Sequence, residues 1–297
     1  MLATAGCGGS GSSADQGDSK KSAGASEAEA APAPLSEDEY QAVLDGTGAG
    51  VTRALASARR ASSPDGLTSR LEKSATALDT AADKLDGAGA PEAAAGAHAD
   101  VVAGLRGLAS ALTSAAGRVG SGGLCTSPAA LAHVTRSAAA GDLRSSAAAL
   151  REAGFDAKGL APKRQRMPAL RLKTGMVLTR KGGTGPGELV IRNGNSREGV
   201  VKLVAGAKRT TVYVGRKANA TVTQIPDGNY RVFFATGVSW DGARNTFSRS
   251  CGFTRFDENM KFTSGGGRYV RFTITLNAVK GGSARTSQID PSDFPRG

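Results

Sequence analysis

The chain has 297 residues, a formal net charge of +12 and 39% hydrophobic residues. Its length suggests two domains, because a domain usually contains about 100–200 residues. No stretch approaches the ~18 apolar residues of a membrane-spanning helix, so any membrane anchoring is expected from lipid, a partner or an upstream segment. Residues 1–156 have a net charge of −5, residues 157–181 carry eight basic and no acidic side chains, and residues 182–297 have a net charge of +9.

The first residues resemble a bacterial lipoprotein signal that ends at its cysteine. A run of small residues precedes Cys7, and a Gly/Ser-rich stretch follows it. A secretory signal needs a basic region and about 7–15 apolar residues. Only six residues precede Cys7, so the complete signal is expected upstream of Met1. This interpretation predicts lipid on Cys7 and an extracytoplasmic location. The alternative is a cytosolic protein with a disordered N-terminus and an ordinary cysteine.

Residues 8–34 contain no large apolar side chain. Such a stretch buries too little surface to offset the entropy lost on ordering it. We therefore predict that residues 1–34 comprise a signal remnant and a disordered tether. Leu35 is the first residue expected to enter a core.

Residues 35–156 are predicted to form an alanine-rich, up-down bundle of four helices. Ser36 and Glu39 form a capping box, and Ser63 followed by Pro64 marks a second helix start. A fourth segment starts at Ser127 and is expected to break near Gly141. The third helix has an unbroken heptad-like seam that is typical of helix packing, formed by Val101, Leu105, Leu108, Leu112, Ala115 and Val119.

Residues 187–297 are predicted to form an antiparallel β-sandwich of immunoglobulin-like architecture. Seven or eight short alternating segments are separated by turn signals such as Asn193-Gly194 and Pro226-Asp-Gly228, which is the pattern of such sandwiches. Residues 157–186 are predicted to be a basic, flexible linker. Trp240 and Asp241 are placed in a loop that could contact a ligand. The fold class is therefore α+β, with two separate domains.

The C-terminal part contains a series of distinctive short motifs, namely Leu189-Val-Ile-Arg-Asn-Gly194, Val201–Val204, Tyr213-Val214, Ile225–Val232, Trp240-Asp241, Cys251–Phe256, Thr275-Leu276 and the Asp-Pro-Ser-Asp-Phe-Pro tail. Together these motifs, which cover roughly the last 110 residues, resemble a β-domain found at the C-terminus of many bacterial, often actinomycete, envelope proteins. The helical half resembles uncharacterised actinomycete lipoproteins. The resemblance implies a fold and an envelope location but no activity.

The three cysteines divide into one predicted lipid carrier and one pair. If the protein is exported, Cys125 and Cys251 form an even pair in an oxidising compartment and are expected to be bridged. The alternative is two separate buried thiols, each packing as a small hydrophobic group. A zinc site is not expected, because a second pair at ligand spacing is missing.

The sequence offers little for catalysis, and we predict a protein that is not an enzyme and has no cofactor. Both histidines, His98 and His133, lie in the helical half, and His98 is expected to pack at a helix end. The β half has no histidine, which excludes Ser-His-Asp chemistry there. A glycosidase-type carboxylate pair of Asp241 with Asp257 is the remaining catalytic alternative.

The basic linker is the feature with a predicted partner. Anionic lipid headgroups attract cations at about 1 kcal/mol per residue, and phosphate-rich wall polymers offer the same charge. The alternatives are a solvated linker or one that docks on the acidic helical half. Nucleic acid is not favoured, because a recognition motif is missing. The residues expected to contact such a surface are Lys163, Arg164, Arg166, Arg171, Lys173, Arg180 and Lys181.

These observations predict a lipid-anchored envelope protein that serves as a surface binding or scaffold module. One alternative is a wall- or carbohydrate-acting hydrolase that uses carboxylates of the β half near Trp240. A second alternative is a cytosolic protein associated with nucleic acid.

Overall fold

The computed structural model describes residues 33–276 and 284–296, so Cys7 and most of the predicted tether lie outside the described residues. The described part has an α-helical N-terminal half and a C-terminal half rich in antiparallel sheet, as expected for an α+β protein. The helices are α1 (Glu37–Arg59), α2 (Pro64–Asp86), α3 (Ala95–Gly120), α4 (Ser127–Thr135) and α5 (Ala138–Glu152). The strands are β1 (Val177–Lys181), β2 (Gly187–Asn193), β3 (Glu198–Ala205), β4 (Lys208–Val214), β5 (Ala218–Ile225), β6 (Gly228–Asp241), β7 (Thr246–Phe256), β8 (Met260–Phe262), β9 (Ser264–Gly265), β10 (Arg268–Tyr269), β11 (Arg271–Thr275) and β12 (Thr286–Gln288).

The predicted helix starts are confirmed by their caps. The Glu39 amide donates to Ser36 Oγ at 3.4 Å, and the Ser36 amide donates to the Glu39 carboxylate at 3.0 Å. Ser63 caps α2 through the Gly66 amide at 3.2 Å. Each cap satisfies backbone donors that a helix start leaves without partners.

The predicted fourth helix is in fact two helices, α4 and α5, and the break lies at residues 136–137 instead of Gly141. The reason is a local cap. The Ser137 hydroxyl accepts a hydrogen bond from the Ala140 amide at 3.2 Å, which starts α5 there. Gly141 lies inside α5.

The bundle core is built around α3, which packs against α2 and α5. The predicted seam of α3 is confirmed, because each of its six residues is at most 4% exposed. Alanines between the leucines let the helices approach closely.

The larger sheet has the strand order β1-β4-β3-β6-β7-β12, with β8 also paired to β6. A smaller sheet has the order β11-β2-β5, and β9 pairs with β10. All named pairs are antiparallel except β11 with β2, which is parallel, so the expectation of a purely antiparallel fold is wrong at this pair. A parallel pair needs a long crossover connection, and the chain from β3 to β10 provides it.

The larger sheet buries side chains on both of its faces. One face shares a hydrophobic cluster with the smaller sheet, in which Leu189 and Ile191 of β2 lie with Leu203 and Val232 of the larger sheet. The opposite face carries a second cluster, here called the aromatic face, which contains Tyr213, Phe233, Trp240, Phe247, Phe253 and Phe294. Because both faces are covered, the central strands carry continuous apolar runs.

The segment predicted as a flexible linker, residues 157–186, is held by hydrogen bonds along much of its length. It contains β1, so the larger sheet begins at Val177, before the predicted boundary at residue 187. The Gln165 amide donates to Thr135 Oγ1 at 3.1 Å on the helical side. The Leu170 amide donates to Ser239 Oγ at 2.9 Å on the sheet side.

The loop after α3 joins the two halves and is bridged by a disulfide. The Cys125 amide donates to the Ser248 carbonyl at 2.9 Å, and the Cys251 amide donates to the Gly122 carbonyl at 3.0 Å. The Cys125–Cys251 disulfide, predicted from the sequence, is confirmed, with an S–S distance of 2.05 Å. The helical half is therefore covalently attached to β7.

We expect the Cys125→Ser/Cys251→Ser variant to lose about 5 kcal/mol of unfolding free energy in the chain-entropy model, since the bridged residues are 126 positions apart. Urea unfolding can be followed by circular dichroism for the helices and by fluorescence of Trp240, the one tryptophan, for the sheet. In the variant the two transitions should separate. Cys7→Ser is the control and should leave the midpoints of both unfolding transitions unchanged. Unchanged midpoints in the Cys125→Ser/Cys251→Ser variant would contradict the prediction.

Candidate functional site

The basic segment predicted to contact an anionic surface is exposed for most of its charged residues. Six of the seven side chains are exposed, namely Lys163, Arg164, Arg166, Arg171, Lys173 and Lys181. Arg180 is half-buried and donates to the carbonyl oxygens of Thr223 and Gln224 at 3.0 and 2.6 Å. Arg180 therefore fastens β1 to the end of β5, whereas the other six cations point to solvent.

The charges of this segment are not neutralised locally. Within residues 33–276 and 284–296, the ion pairs are Arg106 with Asp83 and Asp86, Arg244 with Asp241, and Arg271 with Glu188. None of them uses a residue of the basic segment. The alternative that the segment docks on the helical half holds for its first part without ion pairs, because Met167 packs against the helical core and the Gln165 amide donates to Thr135 Oγ1.

The backbone that carries these charges is fixed to α4 near Gln165 and to the larger sheet from Leu170 onward. The Gly175 amide donates to the Tyr213 carbonyl, and the Tyr213 amide donates to the Met176 carbonyl, both at 2.9 Å. Leu172 and Leu178 pack on the aromatic face. The positive charge is thus displayed on a backbone held in one conformation, which lowers the entropy lost on binding.

Exposed apolar side chains lie among the cations. Leu170, Met176 and Val177 are 53%, 42% and 39% exposed, and Tyr269 is the fourth large apolar residue exposed in the described ranges. Cations interleaved with exposed apolar groups are typical of surfaces that bind at a lipid–water interface.

Trp240 is not in a loop, which corrects the sequence prediction. It lies in β6, which extends to Asp241, and it is 5% exposed. Its ring packs edge-on against Phe247 with a centroid distance of 5.1 Å. Trp240 is therefore part of the aromatic face and offers no platform to a ligand.

The alternative carboxylate pair, Asp241 with Asp257, is also separated. Asp241 is opposite Thr246 at the start of β7, whereas Asp257 follows Phe256 at its other end. At about 3.3 Å per residue, the 11 positions from Thr246 to Asp257 place the two carboxylates roughly 35 Å apart, whereas glycosidase pairs lie about 5–9.5 Å apart. Asp241 instead accepts from the Arg244 guanidinium at 2.8 Å.

The aromatic face holds a buried polar network that sequence reasoning missed. Glu198 is 2% exposed, and its carboxylate accepts the Ser239 amide at 3.0 Å. Ser239 has a φ of 63°, a left-handed conformation that is uncommon outside glycine. Burial raises the pKa of the adjacent Tyr213 to about 12, and Glu198 adds to this effect. The alternation of β3 could have placed Glu198 on this face, but not its partners.

Lys202, on the same face of β3, holds the C-terminal tail through a hydrogen bond and a cation–π contact. It is 2% exposed, and its Nζ donates to the Pro295 carbonyl at 2.5 Å and to the Asn245 side chain. The ammonium also lies 4.7 Å from the Phe294 ring centroid. Burial, and secondarily the nearby Arg209, lower the pKa of Lys202 to about 8. This lysine is an anchor for residues 294–296, which cover the aromatic face.

His98 packs as predicted. Its Nδ1 lies 2.9 Å from the Tyr40 hydroxyl, and burial lowers its pKa. Among the described residues, no group of three or more His, Cys, Asp or Glu side chains is arranged to hold a metal ion.

A cavity of about 210 Å³ lies beside the disulfide, between the start of α2 and the C-terminal tail. Its charged lining has both signs, with Asp65 and Asp290 opposite Arg244 and Arg296. Arg244 is already paired with Asp241. The mixed lining does not select one class of ligand.

Comparisons with known proteins add no assignment. The chain matches no protein-family model, no curated protein and no solved structure. No helix in the described part is both long and apolar enough to cross a bilayer.

The lowered pKa of Lys202 predicts a pH-dependent stability. Between about pH 8 and pH 10 the unfolded chain holds more protons than the folded one, so the free energy of unfolding should rise with pH. Lys202→Met should remove this rise, and Lys261→Met, at an exposed position, should keep it. Urea midpoints measured across this window test the effect. If the free energy of unfolding of Lys202→Met still rises over this pH range, the effect does not come from Lys202.

Proposed function

We propose that this protein is a non-enzymatic, extracytoplasmic lipoprotein, anchored through Cys7, whose basic segment binds anionic surfaces. The observation that carries the binding proposal is the display of six unpaired cations and three exposed apolar side chains on a fixed backbone. Anionic lipid headgroups are the partner we favour, because the apolar side chains have a place at a lipid interface and none on a soluble polyanion.

The disulfide supports export. Bridges between cysteines persist in oxidising compartments and are rare in the cytosol. Cys125 and Cys251 are paired with each other, and Cys7, the third cysteine of the sequence, lies outside the described residues. That arrangement is expected if Cys7 carries lipid outside the cytoplasm.

For the β half, we propose a sandwich of immunoglobulin-like architecture. The hydrophobic cluster shared by the two sheets supports two packed layers. A rigid β scaffold of this kind suits a surface module, because β1, at the edge of the larger sheet, presents part of the basic segment.

The hydrolase alternative is weakened by the separation of Asp241 from Asp257 and by the burial of Trp240. The positive charge of the basic segment is compatible with binding to nucleic acid. However, the exposed side chains beside the basic segment are aliphatic, and base stacking needs aromatic rings.

Vesicle binding tests the surface proposal. The Cys7→Ser chain, which cannot carry the proposed lipid anchor, should sediment with vesicles of phosphatidylcholine and phosphatidylglycerol but not with vesicles of phosphatidylcholine alone. Removing three exposed charges, by Arg171→Gln, Lys173→Gln and Lys181→Gln, should weaken partitioning by about 100-fold, since each charge contributes about 1 kcal/mol. High salt should have the same effect as these substitutions.

The matched control is Arg216→Gln, Arg255→Gln and Lys261→Gln, which removes the same charge from exposed positions outside the segment. This control should retain most of the binding. An equal loss in both variants would mean that net charge alone attracts the protein. Binding to duplex DNA without binding to anionic vesicles would overturn the proposal.

The intact mass of the protein purified from its native cells tests the anchor. The expected mass includes a lipid adduct on Cys7, with Cys125 and Cys251 unreactive to thiol reagents until they are reduced. A chain without lipid and with three free thiols would contradict export.

A further inference from the structure

A groove of about 710 Å³ runs between α1 and α2. Ser74 Oγ, midway along α2, donates to the carbonyl of Ala54, near the end of α1, at 2.9 Å. From this contact the groove extends towards Val43 on α1 and Lys84 on α2. Its volume lies within the range of about 300–1,000 Å³ that is typical of small-molecule sites.

Two glycines on the α1 side of the groove have no packing reason to be glycine. A Cβ added at Gly46 or at Gly50 would meet no atom within 4 Å. Gly48, between them, is different, because its Cβ would lie 2.3 Å from the Lys158 carbonyl oxygen. A glycine inside a helix costs about 1 kcal/mol relative to alanine. Gly48 is explained by close packing, whereas Gly46 and Gly50 leave open space on the α1 side of the groove.

The charge of the groove is of one sign. Its charged lining residues are Arg53, Lys73 and Lys84, and none of them takes part in an ion pair within the described ranges. This is notable because residues 1–156 are acidic overall, with a net charge of −5. Between the cations the lining consists of small apolar or hydroxyl side chains, including Ala77 and Ala81.

We propose that this groove binds an anionic amphiphile with a single alkyl chain. The chain lies over Gly46, Gly50 and the alanines of α2, and the anionic group is held by the basic side chains at the rim. The anion is a carboxylate, as in a fatty acid, or a phosphate, as in a monoacyl phospholipid. The groove is separate in sequence from the basic segment, so either site can fail its test while the other stands.

Filling the groove tests its use directly. Gly46→Leu/Gly50→Leu places two side chains in open space and should leave the thermal midpoint unchanged or raised. We expect the full chain to bind palmitate or monoacyl phosphatidylglycerol in native mass spectrometry and in displacement of a fluorescent fatty acid. The filled variant should bind at least tenfold more weakly. Comparing the two ligands distinguishes a carboxylate from a phosphate.

The matched control is Gly96→Leu/Gly117→Leu in α3. An added Cβ at either position also meets no atom within 4 Å, but neither glycine lines the groove. This control should bind like the unmodified chain. Arg53→Gln/Lys84→Gln should weaken palmitate binding and spare hexadecanol, which has the same chain without charge. Arg136→Gln/Arg151→Gln, at exposed positions elsewhere in the helical half, should leave the binding of both compounds unchanged.

Three results would overturn the proposal. One is the absence of palmitate and monoacyl phospholipid binding by the full chain. Another is equal binding by the filled variant and the unmodified chain. The third is a change from dimer to monomer on filling the groove, with no amphiphile bound, which would assign the groove to a second copy of the chain.

Discussion

The contact between the loop after α3 and strand β7 determines how the helical half is attached to the larger sheet. Backbone hydrogen bonds pair residues 122–125 with residues 248–251, and the Cys125–Cys251 disulfide makes the contact covalent. The chain crosses between the halves again at residues 163–172, where it bonds first to α4 and then to β6. Because this second crossing lies within the basic segment, the fixed backbone of that segment depends on both halves being held together.

The helices could be predicted well from the sequence because their signals are local. Caps at Ser36 and Ser63 and the seam of α3 act within a few residues, and all were found where expected. The break before α5 was misplaced because an apolar run continues through Val134 to Leu143, and a single serine cap interrupts it. Strand β1 was missed because its basic residues obscured a short apolar pair, Val177 and Leu178, whose strand conformation depends on pairing with β4.

The aromatic face could not be predicted, because its partners are distant in sequence. Lys202 and Pro295 are 93 positions apart, and Glu198 and Ser239 are 41 apart. Burying a charged group is unfavourable unless it is hydrogen-bonded, so sequence patterns alone favour exposure for both side chains. The position of Trp240 is obscured for a related reason: β6 is buried on both faces and its residues do not alternate, so the sequence pattern predicts a loop at its end.

Net charge identifies neither proposed site, whereas the placement of individual cations identifies both. The chain carries 38 basic side chains, which are spread over both halves. In the basic segment, exposed Leu170 and Met176 lie next to unpaired cations. In the acidic helical half, Arg53, Lys73 and Lys84 line a groove that is also lined by Gly46 and Gly50. A flat, charged strip suits an extended interface, and a recessed groove suits one alkyl chain, so a lipid surface supplies the chemistry for both.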